Sequence, residues 1–479
     1  MRIMANRFFQ SFPNRWQWGE QMIATLLLLS AAFFNGYPLV FSDSGTYVFS
    51  GWEMKVPVDR PIIYGLFLRA ASLGFSLWLP VIVQCFVLAW SLRLLWRTFF
   101  PSRAIDAAFL IAVAALCALT PVAWYSGQLM PDVFTEVLLL VVGVVLLRKT
   151  LRTWQWIALG GLFVFCSISH FSNLFIGLTA LTAAWLLRVF GSRALRELAF
   201  FRRRSVIILL WCAVTYVTLP TVNWMVEGDA SMGKGSYTFL IGRLLDNGVL
   251  KRYLDENCGR ESFRLCLYKD SLPANSRNFH WDADSPLAKE GGWGVPEPEY
   301  RKIVWNTLTT PKYLALHVWE SLLATPSQLL QNSVGSGLEL GWYKSPESPP
   351  YQAVARFFPY ELNEYRFSRQ CGNLWGQSLD LKFYSTLFYW AMLLSAFLVP
   401  VMLLLHGKKR FLPAGLEAGV YLLLCGVFAN AFVTSSLASI CDRFQSRVAW
   451  FLPLAACMIL WAYRQSVIIH QATFKTPDE

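Results

Sequence analysis

Hydrophobic residues in this chain are bunched rather than periodic. Apolar runs occupy 21–41, 77–96, 104–122, 131–147, 154–170, 174–190, 205–225, 382–405, 413–435 and 448–463, with polar stretches between them. Each run is about the length that carries an α-helix across the ~30 Å hydrocarbon core of a bilayer. The ~10-residue alternating segments of a membrane β-barrel are not the pattern here. The expectation is an all-α polytopic membrane protein with ten transmembrane helices. Seven lie in an N-terminal module over 1–225, which includes a first outer loop at 42–76. Three lie in a C-terminal module over 382–479, and the long polar stretch 226–381 forms a lobe between the modules.

Composition agrees. Of 479 residues, 55% are hydrophobic and 15% charged, against about 25% charged in a soluble protein. A soluble enzyme, a disordered chain and a disulfide-stapled miniature are excluded. The net charge of +12 suggests anionic partners until it is mapped. Segments on one side hold Arg2, Arg7, Arg15, Arg93, Arg97, Arg103, Arg148, Lys149, Arg152, Arg188, Arg193, Arg196, Arg202, Arg203, Arg204, Lys408, Lys409, Arg410, Arg464 and Lys475. Their acids are only Glu20, Asp106, Glu197, Glu417, Asp478 and Glu479. The opposite turns 122–131 and 169–173 contain no Lys or Arg. By the positive-inside rule both termini are cytoplasmic, and the charge encodes topology rather than nucleic-acid affinity. Arg2, Arg7 and Arg15 before an apolar run also resemble a signal peptide, but the run continues to Phe41 and the alternation works with it retained.

The lobe carries 18 acidic and 16 basic residues, so it is close to neutral. Helices are expected over 299–309 and 312–333, with Pro311 opening the second, whose leucines suggest a helix lying on the membrane surface. Cys258, Cys266, Cys371 and Cys441 fall on the outer side, an oxidising compartment if the membrane is a bacterial inner membrane. Cys258–Cys266 is the first candidate bridge and Cys371–Cys441 the second. Zinc is disfavoured, because there is no CxxC pair and His280 is the only histidine nearby.

Ionisable residues at or within a membrane are costly and are functional candidates by default. They gather on the outer side. The first run ends in Phe41-Ser42-Asp43-Ser44-Gly45-Thr46-Tyr47, and Asp59-Arg60-Pro61-Ile62-Ile63-Tyr64 follows, opening a short apolar helix. Pro131-Asp132 starts the fourth run, with Glu136 one turn deeper on the same face. His170-Phe171-Ser172-Asn173 forms the third outer turn, and Cys441-Asp442-Arg443-Phe444-Gln445-Ser446-Arg447 the last. Lys234 sits just beyond the seventh run.

This set resembles the GT-C superfamily of integral-membrane glycosyltransferases, which includes the lipid A aminoarabinose transferase and protein O-mannosyltransferases. The likeness rests on Asp43 after the first span with Tyr47 one turn on, Arg60, Pro61 and Tyr64 on an outer helix, Pro131-Asp132, and the large outer lobe. Two features depart from it: Asp43 is followed by Ser44 rather than the second acid common in several branches, and only three spans follow the lobe. The resemblance implies sugar transfer from a polyprenyl-phosphate carrier of the undecaprenyl type. The acceptor would be a hydroxyl on a periplasmic glycan, lipid or protein.

The chemistry of the residues fits that role. A lipid phosphate is a stable leaving anion, whereas the acceptor hydroxyl needs a base within hydrogen-bond reach. Asp43 is the candidate base and Asp132 the second catalytic carboxylate, which would orient the acceptor or hold a divalent metal. Arg60, Arg443, Arg447 and Lys234 are the candidate phosphate cations. Tyr47, Asp59, Tyr64, Glu136 and His170 complete the candidate substrate-binding set. Each has a plainer competitor. Asp43 and Asp132 could cap helices, Glu136 could pair with another helix, and Asp59-Arg60 could be a surface ion pair. His170 could be a turn residue and Lys234 a loop charge. Two other functions compete as well. A polymerase or ligase of lipid-linked glycans would lean on arginine and histidine rather than Asp43. A transporter or flippase would show inverted repeats and mid-membrane charges.

Overall fold

The computed structural model describes residues 15–102, 104–335, 337–339, 341–372 and 379–474. Arg2, Arg7, Arg103, Lys475, Asp478 and Glu479 of the charge map lie outside them, as does the side chain of Arg15. The described residues are helical and contain no strand, only an isolated parallel bridge between Leu39 and Gln128.

The N-terminal part comprises α1 (Arg15–Leu28), α2 (Ser30–Asn35), α3 (Ser42–Glu53), α4 (Ile63–Ser72), α5 (Trp78–Phe99), α6 (Ala107–Leu119), α7 (Val133–Leu147), α8 (Thr153–Ser169), α9 (Asn173–Phe190) and α10 (Phe201–Glu227). In the lobe, α11 (Pro311–Leu329) and α12 (Pro349–Phe357) bear on the site. The C-terminal part holds α13 (Lys382–Lys409), α14 (Leu416–Leu437), α15 (Asp442–Ala449) and α16 (Phe451–Phe474). Among the described residues, six segments are long and apolar enough to cross a membrane: α5, α9, α10, α13, α14 and the continuous stretch Asp442–Gln471. The chain is therefore a multi-pass, all-α membrane protein. α6, α7 and α8 are apolar but shorter, and the first apolar run is broken between α1 and α2.

α7 is the axis of the bundle. All fifteen of its residues are buried, because α5, α8, α9 and α14 pack around it. At 1.5 Å per residue it is about 22 Å long, shorter than the ~30 Å hydrocarbon core. Its C-terminal carbonyls are capped from the side: Arg204 on α10 donates to Val145 O at 2.9 Å and to Lys149 O at 2.9 Å. A cation at a helix C-terminus satisfies orphan carbonyls and opposes the dipole. Arg97 pairs at the same end with buried Glu20 at 2.5 Å.

The lobe has its own apolar core around Ile241, Leu250, Tyr253, Phe279, Tyr300 and Ile303. Cys258 and Cys266 form a disulfide, as expected. Cys371 and Cys441 remain free thiols, so the second candidate bridge is not made. Pro311 opens α11 as the sequence suggested, but this helix does more than rest on a surface. Its polar stripe of Ser321, Thr325 and Gln328 is buried against α14 and the turn after it. Thr325 Oγ1 lies 3.2 Å from Ser435 Oγ, and Gln328 exchanges bonds with the Cys441 backbone at 2.9 and 3.0 Å. The leucines face outward because that stripe faces in.

α3 and α4 cross at a glycine contact. A Cβ on Gly51 would lie 2.1 Å from Gly65 O, and one on Gly65 would lie 2.2 Å from Ser50 Oγ and 2.5 Å from Tyr47 O. Only residues without side chains allow this approach. On its other face α3 is clamped by the lobe, since a Cβ on Gly45 would lie 2.2 Å from the Pro349 carbonyl carbon at the start of α12. Gly65→Ala should therefore separate α3 from α4 at a cost of about 1–3 kcal/mol. The expected readout is faster proteolysis in the 54–62 connection, and wild-type resistance would show that the crossing is not tight.

Candidate active site

Two backbone links bring the predicted acids together at the lobe end of the bundle. Leu39 N–H donates to Gly127 O at 3.0 Å and Leu129 N–H donates to Leu39 O at 2.8 Å, while Ser44 Oγ donates to Leu129 O at 2.9 Å. These bonds hold the strand-like lead into α3 alongside the lead into α7, so Asp43 and Asp132 meet the same arginine, Arg443. The lobe secures the first lead as well. The Gln370 side-chain amide bonds both N–H and C=O of Val40, at 2.9 and 2.7 Å, and Tyr37 Oη donates to Glu361 at 2.7 Å.

The arginines arrive on α15. Arg443 and Arg447 are four residues apart and share a helix face. The helix is set by Asp442 Oδ1, which accepts from Ser333 N–H at 3.0 Å, and by Ser446 Oγ, which donates to Ser333 O at 3.0 Å.

Asp43 is held between two guanidiniums. Its Oδ1 lies 3.1 Å from Arg60 Nη1 and its Oδ2 accepts from Arg443 Nη1 at 3.1 Å. Arg60 also binds Asp59, with Nε donating to Oδ1 at 3.0 Å, and stacks over Tyr47 at 5.2 Å. Arg443 lies over Phe41 at 4.5 Å and approaches Asp132 Oδ1 at 3.7 Å. Arg447 donates to Asp132 Oδ1 at 3.1 Å, and its other nitrogens reach Asn430 Oδ1 at 3.2 and 3.0 Å and Ser172 Oγ at 3.4 Å. Ser172 Oγ in turn lies 2.9 Å from His170 Nδ1. Three carboxylates and three guanidiniums thus form one network.

Exposure divides it. The Asp132 and Arg447 side chains are 0% exposed, Arg60 and Arg443 about a tenth, Asp59 18% and Asp43 23%. Asp43 is the network's opening to the outside. Burial pushes its carboxyl up, but Arg60 and Arg443 outweigh that and hold it below the ordinary carboxylate range. Burial pulls the Arg60 guanidinium down, and Asp43 and Asp59 reverse this, holding it above its ordinary value.

The plainer roles proposed for several residues are not the ones seen. Asp132 sits before α7, but its side chain makes no capping bond and is spent on arginine. Asp59–Arg60 is largely buried rather than a surface pair. Other candidates point elsewhere. Tyr64 is fully buried, with its hydroxyl donating to Gln84 Oε1 at 3.1 Å and its ring edge-on to Tyr47 at 5.0 Å. Tyr64 therefore supports the floor rather than lining the opening. Lys234 pairs with Glu227, and its loop meets the site through Gly235 N–H, which donates to Val58 O at 2.6 Å, and through Gly233, which packs on Phe171. Glu136 is buried one turn below Asp132 with neither oxygen hydrogen-bonded.

Sequence reasoning missed Asn430, Gln84, Phe41 and Phe444. The first two had a signal: an amide inside an apolar run is itself a polar group that needs a partner. The aromatics had none among so many.

A divalent cation does not suit this donor set. Both catalytic candidates are already bound by arginine, and among the described residues no three His, Cys, Asp or Glu side chains converge to hold a metal ion. Compared with protein-family models, curated proteins and solved structures, the chain matches none of them.

Proposed function

We propose that this protein is a glycosyltransferase of the GT-C kind, moving a sugar from a polyprenyl-phosphate carrier to a hydroxyl acceptor. In this reading it crosses a bacterial inner membrane ten times, with α6, α7, α8 and the broken α1–α2 pair completing the bundle. Both termini are cytoplasmic, and the lobe and the Asp43 opening are periplasmic. The observation that carries it is the Asp43 carboxylate, partly exposed and set between two guanidiniums.

The acceptor oxygen attacks the anomeric carbon and its proton passes to Asp43. The carbon–oxygen bond to phosphate breaks, and the carrier leaves as its phosphate with the electron pair. One carboxylate suffices for such an inverting transfer, since the leaving group is already a stable anion. Arg60 and Arg443 bind the phosphate with planar, multidentate donors. Arg447 and Asp132 hold Arg443 in place from below.

The test is mass spectrometry of envelope glycolipids and glycans from cells with and without the gene. The expected result is one species that loses a single-sugar mass increment when the gene is absent and regains it on complementation. An unchanged envelope would remove the proposal.

A further inference from the structure

An incoming carrier phosphate finds every guanidinium of this network already opposed by a carboxylate. Asp43, Asp59 and Asp132 balance Arg60, Arg443 and Arg447. A buried anion needs a cation or it is expelled, so a phosphate must take one from an acid. Asp132 cannot yield: it and Arg447 are fully enclosed, and Arg447 is pinned by Asn430 and Ser172. Asp59 is the chain neighbour of Arg60 and grips it through two nitrogens. Asp43 is the most exposed of the three acids, at 23% against 18% for Asp59, and touches each guanidinium through one oxygen only. Two buried donors beside it, Arg60 Nη1 and Arg443 Nε, have no aligned hydrogen bond although carboxylate oxygens lie 3.1 and 3.7 Å away. These are N–H groups with capacity left for an acceptor of different shape.

We propose that the carrier phosphate and the Asp43 carboxylate exchange places on Arg60 and Arg443, so that the base is released only when a donor is bound. This rests on the glycosyl-transfer reading and adds an order to it. While clamped, Asp43 holds one oxygen against each guanidinium and its Oδ1 also accepts from the neighbouring Ser42 Oγ at 3.3 Å, so an acceptor hydroxyl must compete with two cations and a hydroxyl for it. Once displaced it loses two cations and gains an anionic neighbour, and both changes raise its affinity for a proton. A site without donor therefore has no free base to activate water.

The test is binding of undecaprenyl phosphate to the full chain in nanodiscs, with the neutral polyprenol as control. Because Asp43 competes for the arginines, Asp43→Asn is expected to bind the phosphate about tenfold tighter than wild type. Arg443→Gln is expected to bind it at least about tenfold weaker. Affinity unchanged or weakened in Asp43→Asn, with Arg443→Gln weakened, overturns the exchange and leaves the transferase reading standing. Equal binding of phosphate and polyprenol overturns both. A second measurement needs no variant: carbodiimide labelling of wild-type Asp43 should rise several-fold on adding undecaprenyl phosphate, and protection would overturn the exchange.

Discussion

Asp43→Asn should lower sugar transfer by about 10²–10⁴-fold, the range expected when a positioned general base is removed, while leaving the fold intact. The expectation of a sound fold comes from the network itself. Removing the Asp43 charge does not strand either cation, because Arg60 keeps Asp59 and Arg443 keeps Asp132. Asn is the same size and can still accept from one guanidinium, so α3 keeps its place beneath α12. The measurement is the single-sugar mass increment restored by complementation, alongside the thermal midpoint of the purified variant. Undiminished transfer by a variant with the wild-type midpoint would remove Asp43 from the chemistry.

The second large effect falls on stability. Arg447→Met leaves Asp132 as a fully buried carboxylate with Arg443 Nε, 3.7 Å away, as its remaining ion-pair contact. Removing one partner of a buried pair costs about 3–5 kcal/mol, since the survivor keeps its desolvation penalty without its attraction. Asn430 and Ser172 lose their donor in the same step. The variant should unfold well below wild type in a detergent melt. Adding Asp132→Asn should recover much of the loss, because the orphaned charge is gone. Should the single variant melt with the wild type, the pair would be unimportant to the fold. If the double variant melts no better than the single one, the cost lies in packing and not in charge.

These effects concern residues that the chain pattern had already placed at one end of the molecule. Asp43, Asp132, Arg60, Arg443 and Arg447 were each legible as a charge beside an apolar run, and they do form one network. Legibility stopped at orientation. Tyr64 has the right spacing from Arg60, yet it turns inward to Gln84. Lys234 follows a span directly, yet Glu227, seven residues back at the end of α10, claims it. The leucines of α11 read as a membrane-lying face, and the Ser321, Thr325 and Gln328 stripe that docks it against α14 drew no notice. Cys371 and Cys441 shared a compartment without sharing a bond.

The difference has a physical origin. Transfer of a side chain from water to hydrocarbon is a property of that residue and its near neighbours, so helices, sidedness and charge bias are written locally. The sequence alone therefore determined an all-helical membrane chain with its candidate site residues gathered at one end and most of its other cations at the opposite one. Which acid meets which arginine is a matter of contact between segments up to 400 positions apart. That depends on the Leu39–Gln128 bridge, the Gly51–Gly65 crossing and the seat of α15 on the lobe. Those contacts exist only once the chain has packed, and they alone decided that Asp43 stands open between two guanidiniums while Asp132 lies sealed beneath it.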